Sequence, residues 1–120
     1  MAPSERVKGW HAGAQTGRAE DQYQLARCYS SSGTEGLTEN KWMAAQLYGK
    51  AAERGHAAAQ VNLGLMYVKD EGVEQNLELA VSWYREAANQ GHPGGQNCLA
   101  EMYRYGKGVE QNLELGMSWY

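Results

Sequence analysis

The chain has 120 residues, 42% of them hydrophobic, with a net charge of −3, eight tyrosines, four tryptophans and no phenylalanine. That length allows at most one ordinary domain. The balanced charge, with no Lys/Arg cluster, argues against a nucleic-acid binder. No apolar run approaches the ~18 residues of a membrane span, and the N-terminal stretch lacks the apolar core of a secretory signal.

The first recognisable segment, Val7 to Gly17 (VKGWHAGAQTG), aligns with Ala45 to Gly55 (AQLYGKAAERG) and places Trp10 where Tyr48 recurs. It reads as the end of a preceding repeat, residues 1–17. Residues 18–55 form a first full copy, with Leu25 and Tyr29 on a helix A and Asn40, Ala44, Tyr48, Ala51, Ala52 and Gly55 on a helix B. Two extra residues fall in the A–B turn at Ser30 to Gly33, where an insertion costs little.

The second copy, residues 56–91, is the reference. Ala59, Leu63, Met66 and Tyr67 lie at helical spacing on helix A, which stops near Asp70 and Gly72. Asn76 is the expected N-cap of helix B, whose stripe carries Leu77, Ala80, Val81, Tyr84, Ala87 and Ala88, with Trp83 at its edge. Gly91 stands where a C′ glycine belongs. In the third copy, residues 92–120, Gly94 and Gly95 are poor helix formers, so its helix A is expected to start late or fray. Its helix B follows from Asn112. The stretch GVEQNLELAVSWY (Gly72 to Tyr84) returns at Gly108 to Tyr120 with eleven of thirteen positions identical. Such a period marks a repeat array.

The spaced set Ala59, Leu63-Gly64, Tyr67, Gly72-Val73, Ala80, Trp83-Tyr84, Ala87-Ala88 and Gly91 resembles the Sel-one-like repeat, a relative of the tetratricopeptide repeat. The resemblance implies an all-α fold, a right-handed α/α solenoid of antiparallel helix pairs. Asp70 in place of a turn glycine, Ala26 and Ala100 in place of Gly64, Leu47 in place of Trp83 and Gly116 in place of Ala80 depart from the pattern. They bear on packing tightness, not on the fold. The array begins and ends within a copy, so a longer natural array, or completion by a partner, is expected. A REAANQG-like tail after Tyr120 is then expected to raise the melting temperature by several degrees, a gain of ~1 kcal/mol or more, read by thermal denaturation.

Catalytic signatures are lacking: no phosphate loop, no nucleophile elbow, no zinc-protease motif. His56 and His92 are equivalent turn residues rather than a metal pair. Glu74/Glu78 and Glu110/Glu114 fit helix-dipole complementation. Cys28 and Cys98 fall in different copies and read as small core side chains, without disulfide or metal. No cofactor is implied.

Family resemblance places the A helices on the concave face. Counting from Leu63 as buried, the groove positions are Tyr23, Gln24 and Arg27 in copy one, Val61, Asn62, Leu65 and Val68 in copy two, and Asn97, Glu101, Arg104 and Tyr105 in copy three. Ala58, Lys69, Glu20, Gly94 and Cys98 share that face. These columns change chemistry between copies while the core columns do not, as a recognition surface would. The expectation is a non-catalytic adaptor. Tyr23, Val61, Leu65 and Tyr105 would act as apolar anchors, Gln24, Asn62 and Asn97 as hydrogen-bonders, and Arg27, Glu101 and Arg104 as the charges that set selectivity. The partner would be a protein or peptide, with self-association through the unfinished ends as an alternative. Two other readings stay open: a spacer within a longer array, and, from resemblance to secreted relatives alone, a binder of cell-wall precursors or β-lactams. The compartment is not fixed by the sequence.

Overall fold

The computed structural model describes residues 5–15, 17–30 and 40–108, all in helices or the turns joining them. The expected helix B from Asn112 and the insertion at Ser31 to Gly33 lie outside the described residues. Among the described residues six helices follow one another: α1 (Glu5–Gln15), α2 (Ala19–Ser30), α3 (Lys41–Glu53), α4 (Ala57–Lys69), α5 (Leu77–Asn89) and α6 (Pro93–Tyr105). Each packs on its successor, and α4 also touches α6. The A helices α2, α4 and α6 therefore make one layer and the B helices α1, α3 and α5 the other, in an array of 49 × 24 × 18 Å. This is the all-α solenoid of antiparallel helix pairs expected from the repeat.

The B-to-A turns are closed twice over. At the end of α3, the Gly55 N–H donates to Ala52 O at 3.0 Å and the His56 N–H to Ala51 O at 3.1 Å. The end of α5 repeats the pair with Gly91 to Ala88 and His92 to Ala87, at 2.9 and 3.1 Å. This is a Schellman ending, with the left-handed residue (Gly55 or Gly91) at C′. The next residue then starts the following helix. His56 Nδ1 accepts from the Ala59 N–H at 3.1 Å, and His92 Nδ1 from the Gly95 N–H at 3.2 Å. The two histidines are N-caps, a role the sequence reading missed because imidazole is outside the usual capping set of Ser, Thr, Asp and Asn. The expected caps at Asn40 and Asn76 are also formed, by Oδ1 atoms accepting from Met43 and Leu79.

These caps explain a difference from expectation. α6 does not start late: it begins at Pro93, with the His92 cap closing onto Gly95. Proline at the first helical position brings a preset φ and leaves no orphan N–H. Gly95 is there for space. A Cβ on it would lie 2.7 Å from Ala87 Cβ and 2.9 Å from the Ala88 backbone nitrogen. At the A-to-B turn, Asp70 takes the left-handed conformation (φ 58°) that Gly106 takes in the next copy. Its carboxylate accepts from the Gln75 N–H at 2.8 Å, which offsets the conformational cost. Gly72 has φ 73° and sits against the Lys41 carbonyl at the start of α3, so each A-to-B turn seats on the preceding B helix.

The core forms two clusters. The first joins Leu25, Ala26 and Cys28 of α2, six residues of α3 including Tyr48, and Ala59, Leu63 and Met66 of α4. The second joins Val61 of α4, five residues of α5 including Val81 and Tyr84, and Leu99 and Met102 of α6. Burial of side chains such as Tyr84, Leu99 and Val81 contributes about 1.5–3 kcal/mol each. A glutamine column ties the layers together: Gln22 Nε2 donates to Ala14 O at 3.3 Å and Gln60 Nε2 to Ala52 O at 3.1 Å. Alanines 26 and 100 are fully buried at the equivalent positions, whereas in copy two a Cβ on Gly64 would lie 2.6 Å from the Tyr84 ring.

Gly95→Ala is expected to destabilise the protein by about 1–3 kcal/mol through overpacking against Ala87 and Ala88, despite alanine's better helix propensity. Thermal denaturation followed by circular dichroism checks this; an unchanged or higher midpoint would mean that α5 and α6 have slack at this contact.

Candidate interaction surface on the A-helix layer

The face expected to bind is built from α2, α4 and α6. On α2, Tyr23 is half-buried and stacks on the His56 ring, with centroids 4.5 Å apart. The Arg27 guanidinium lies 5.8 Å from the centre of the Tyr23 ring. Gln24 is engaged on its own helix, donating to Glu20 Oε1 at 2.7 Å and accepting from Arg27 Nη1 at 3.2 Å. Because His56 Nδ1 accepts from the backbone, its Nε2 carries the proton and donates to Glu20 Oε2 at 2.6 Å. That hydrogen bond, followed by the one from Gln24, holds the Glu20 carboxyl below its ordinary value. Burial pushes the Tyr48 phenol up, while hydrogen bonding to Ser30 and Asn62 pulls the other way. Asn62 is half-buried on α4.

Val61 departs from the expected placement. It is 8% exposed and packs into the second core cluster, so it is no surface anchor. The reason is that α4 is buried on two sides. Ala59, Leu63 and Met66 face α2 and α3, whereas Val61 faces α5 and α6. The count from Leu63 assumed one buried face. Leu65 and Val68 are half-buried beside the second cluster, and Asn97 and Glu101 are exposed on α6.

Four of the expected residues do converge. Leu65 and Val68 of α4 and Glu101 and Tyr105 of α6 line one hollow of about 130 Å³, together with Tyr84, Cys98, Met102 and Lys107. Its walls are mainly aliphatic, thioether and aromatic. Tyr105 stands 60% exposed at the edge, with the Arg104 guanidinium 5.4 Å and Lys107 Nζ 6.0 Å from its ring centre. Tyr84, placed on the buried stripe of helix B by periodicity, and Met102 belong to the second core cluster and also line the hollow. The Tyr23, Gln24 and Arg27 group, on α2, does not line this hollow.

Burial raises the Cys98 thiol, the nearby Glu101 carboxylate raises it further, and the hydrogen bond with Tyr84 only partly offsets them. Burial, and then Cys98, push the Tyr84 phenol up as well. Both groups are neutral at physiological pH, and a protonated thiol is a poor nucleophile. Among the described residues, no group of three or more His, Cys, Asp or Glu is placed to hold a metal, and neither cysteine forms a disulfide. No described helix is long and apolar enough to cross a membrane.

A helix-pair array with these turn glycines, small packing residues and Trp-Tyr pairs has a counterpart among known families. The Sel1 repeat model matches residues 19–56, 57–92 and 94–120. The chain belongs to the Sel1 repeat family. Among solved structures it is similar to a protective antigen of uropathogenic Escherichia coli with an SLR fold, at 34% identity over 94% of this chain and a TM-score of 0.87. A Sel1 repeat protein from Oxalobacter formigenes matches at 29% identity over 95% of the chain, also with a TM-score of 0.87. The chain spans 24% of the first protein and 46% of the second. Helicobacter pylori cysteine rich protein B shares the fold at 22% identity and a TM-score of 0.70, over 94% of this chain and 84% of its own. None of the curated proteins compared matches the chain. Sel1 repeats are generally protein–protein interaction modules and generally non-catalytic.

The Glu20 contact gives a pH prediction. A carboxyl held below its ordinary value contributes stability that is present above about 4.5 and is lost as pH falls through the folded value. Glu20→Gln should therefore melt below wild type at neutral pH, and the gap should close as pH falls toward about 3. A gap of constant size across that range would show that the Glu20–His56 contact carries no charge-dependent stability.

Proposed function

We propose that the protein is an adaptor whose A-helix layer holds a segment of a partner protein, with one apolar side chain of that segment inserted between α4 and α6. The observation that carries this reading is the 130 Å³ hollow with Tyr105 at its edge. That volume is close to the ~150 Å³ in which an engineered cavity holds a benzene ring, so a leucine- or phenylalanine-sized anchor fits. Exposed aromatic residues beside a small apolar pocket are the usual make-up of an interaction hot spot. Glu101 and Lys107 at the same hollow supply opposite charges that set the orientation of the bound segment. At the far end of the layer, Tyr23 and Arg27 offer a second aromatic and cationic contact.

Displayed random peptides selected on the immobilised protein provide the probe. Tyr105→Ala removes an exposed ring and leaves both core clusters intact. Cys98→Leu fills the hollow. Each is expected to weaken the selected peptides at least about tenfold, or about 1.4 kcal/mol, with little change in melting temperature for Tyr105→Ala. Peptides that bind both variants as well as wild type would sink the reading, and failure to select any peptide would favour a spacer.

A further inference from the structure

The B-helix layer carries an irregularity that the repeat pattern makes visible. Position 49 on α3 is glycine, while the equivalent positions one repeat away are His11 and Arg85. Arg85 Nη2 donates to the Tyr103 hydroxyl at 2.8 Å and so fills the space between α5 and α6. Tyr67 is the equivalent of Tyr103, and with glycine at 49 no such side chain reaches over it. A Cβ built on Gly49 meets nothing within 4 Å.

The outcome is a trough between α3 and α5, which scarcely touch each other. Its central part, about 530 Å³, is floored by Leu63 and Tyr67 of α4 and walled by Gly49, Leu79 and Trp83. It adjoins a hollow of 440 Å³ through Leu79 and Trp83, and one of 610 Å³ through Tyr67 and Val73. At the latter end Trp42 is 59% exposed. Along α3 the wall runs from Trp42 to Glu53, which is about 16 Å of helix, or three turns. The charged groups lining the trough are Glu53, Glu74 and Glu86 against the single amine of Lys50.

We propose that this trough docks a basic amphipathic helix of a partner protein, about three turns long. Its apolar stripe would lie on Trp42, Leu79 and Trp83, and its lysines or arginines would meet Glu53, Glu74 and Glu86. A helix laid between two helices over a third completes the ridge-and-groove packing that α3 and α5 leave open. The acidic edges select the charge of the occupant. The Tyr67 hydroxyl takes a polar group of that helix in the place that Arg85 fills over Tyr103. This surface lies on the opposite layer from the α4–α6 hollow and does not depend on it.

The test uses a fluorescein-labelled peptide of about 14 residues with leucine and lysine at helical spacing, its leucine/glutamate counterpart, and fluorescence anisotropy with the whole chain. The Leu/Lys peptide is expected to bind at least about tenfold tighter than the Leu/Glu peptide, and to weaken with added salt. Gly49→Arg is expected to lower its affinity at least about tenfold while the melting temperature holds or rises, since arginine is the better helix former. The exposed charge reversals Glu53→Lys and Glu86→Lys give the same loss without touching the core. The proposal is overturned if the Leu/Lys peptide does not bind, if the Leu/Glu peptide binds equally well, or if binding survives Gly49→Arg and the charge reversals.

Discussion

Everything in this array depends on how the end of each B helix meets the start of the next A helix. Three residues turn the chain: Arg54-Gly55-His56 between α3 and α4, and Gln90-Gly91-His92 between α5 and α6. In each, the paired alanines before the glycine accept the closing hydrogen bonds, and the histidine after it caps the following helix. A turn satisfied from both sides leaves little freedom in the angle between helices. The same alanines are fully or almost fully buried, so the two backbones approach closely, and Gly95 marks the limit of that approach. The repeat is therefore propagated by backbone geometry, and the aromatic side chains fill what remains.

Where α3 and α5 stand apart, they do so because of this arrangement. The turns set the direction of each B helix, and glycine at position 49 leaves the space over Tyr67 open, where Arg85 in the next copy reaches the Tyr103 hydroxyl. On the A side, α4 and α6 touch, and only a small hollow persists between them. The two layers thus offer different kinds of surface, one tight and pocketed and the other broad and trough-like.

Much of this was legible in the sequence. The period, the Asn40 and Asn76 caps, the glycine at C′ and the core columns all follow from residue type at fixed spacing, because stacking demands the same side chain in every copy. Three features were not. The histidine caps escaped because imidazole caps helices rarely, so composition gave no signal, although their recurrence at one turn position did. The full-length α6 escaped because helix propensity penalises Gly94 and Gly95, whereas close packing required a glycine at position 95. Val61 escaped because a helix wheel with one buried face cannot describe an interior helix with two. Of the expected binding residues, Leu65, Val68, Glu101 and Tyr105 converge on one hollow, whereas Gln24 is already engaged on its own helix.

The double burial of α4 has a consequence for how the molecule comes apart. Leu63 and Met66 belong to one cluster and Val61 to the other, so neither cluster can open without uncovering part of this helix. In a linear array, stability is the sum of what each unit holds alone and what adjoining units share. Here much of the shared part passes through a single helix. The two halves therefore lose order together, and a change that loosens α2 against α4 is felt at α6, with no contact between α2 and α6 needed to carry it. Loosening α4 in the middle of this short array is therefore felt on both sides of it.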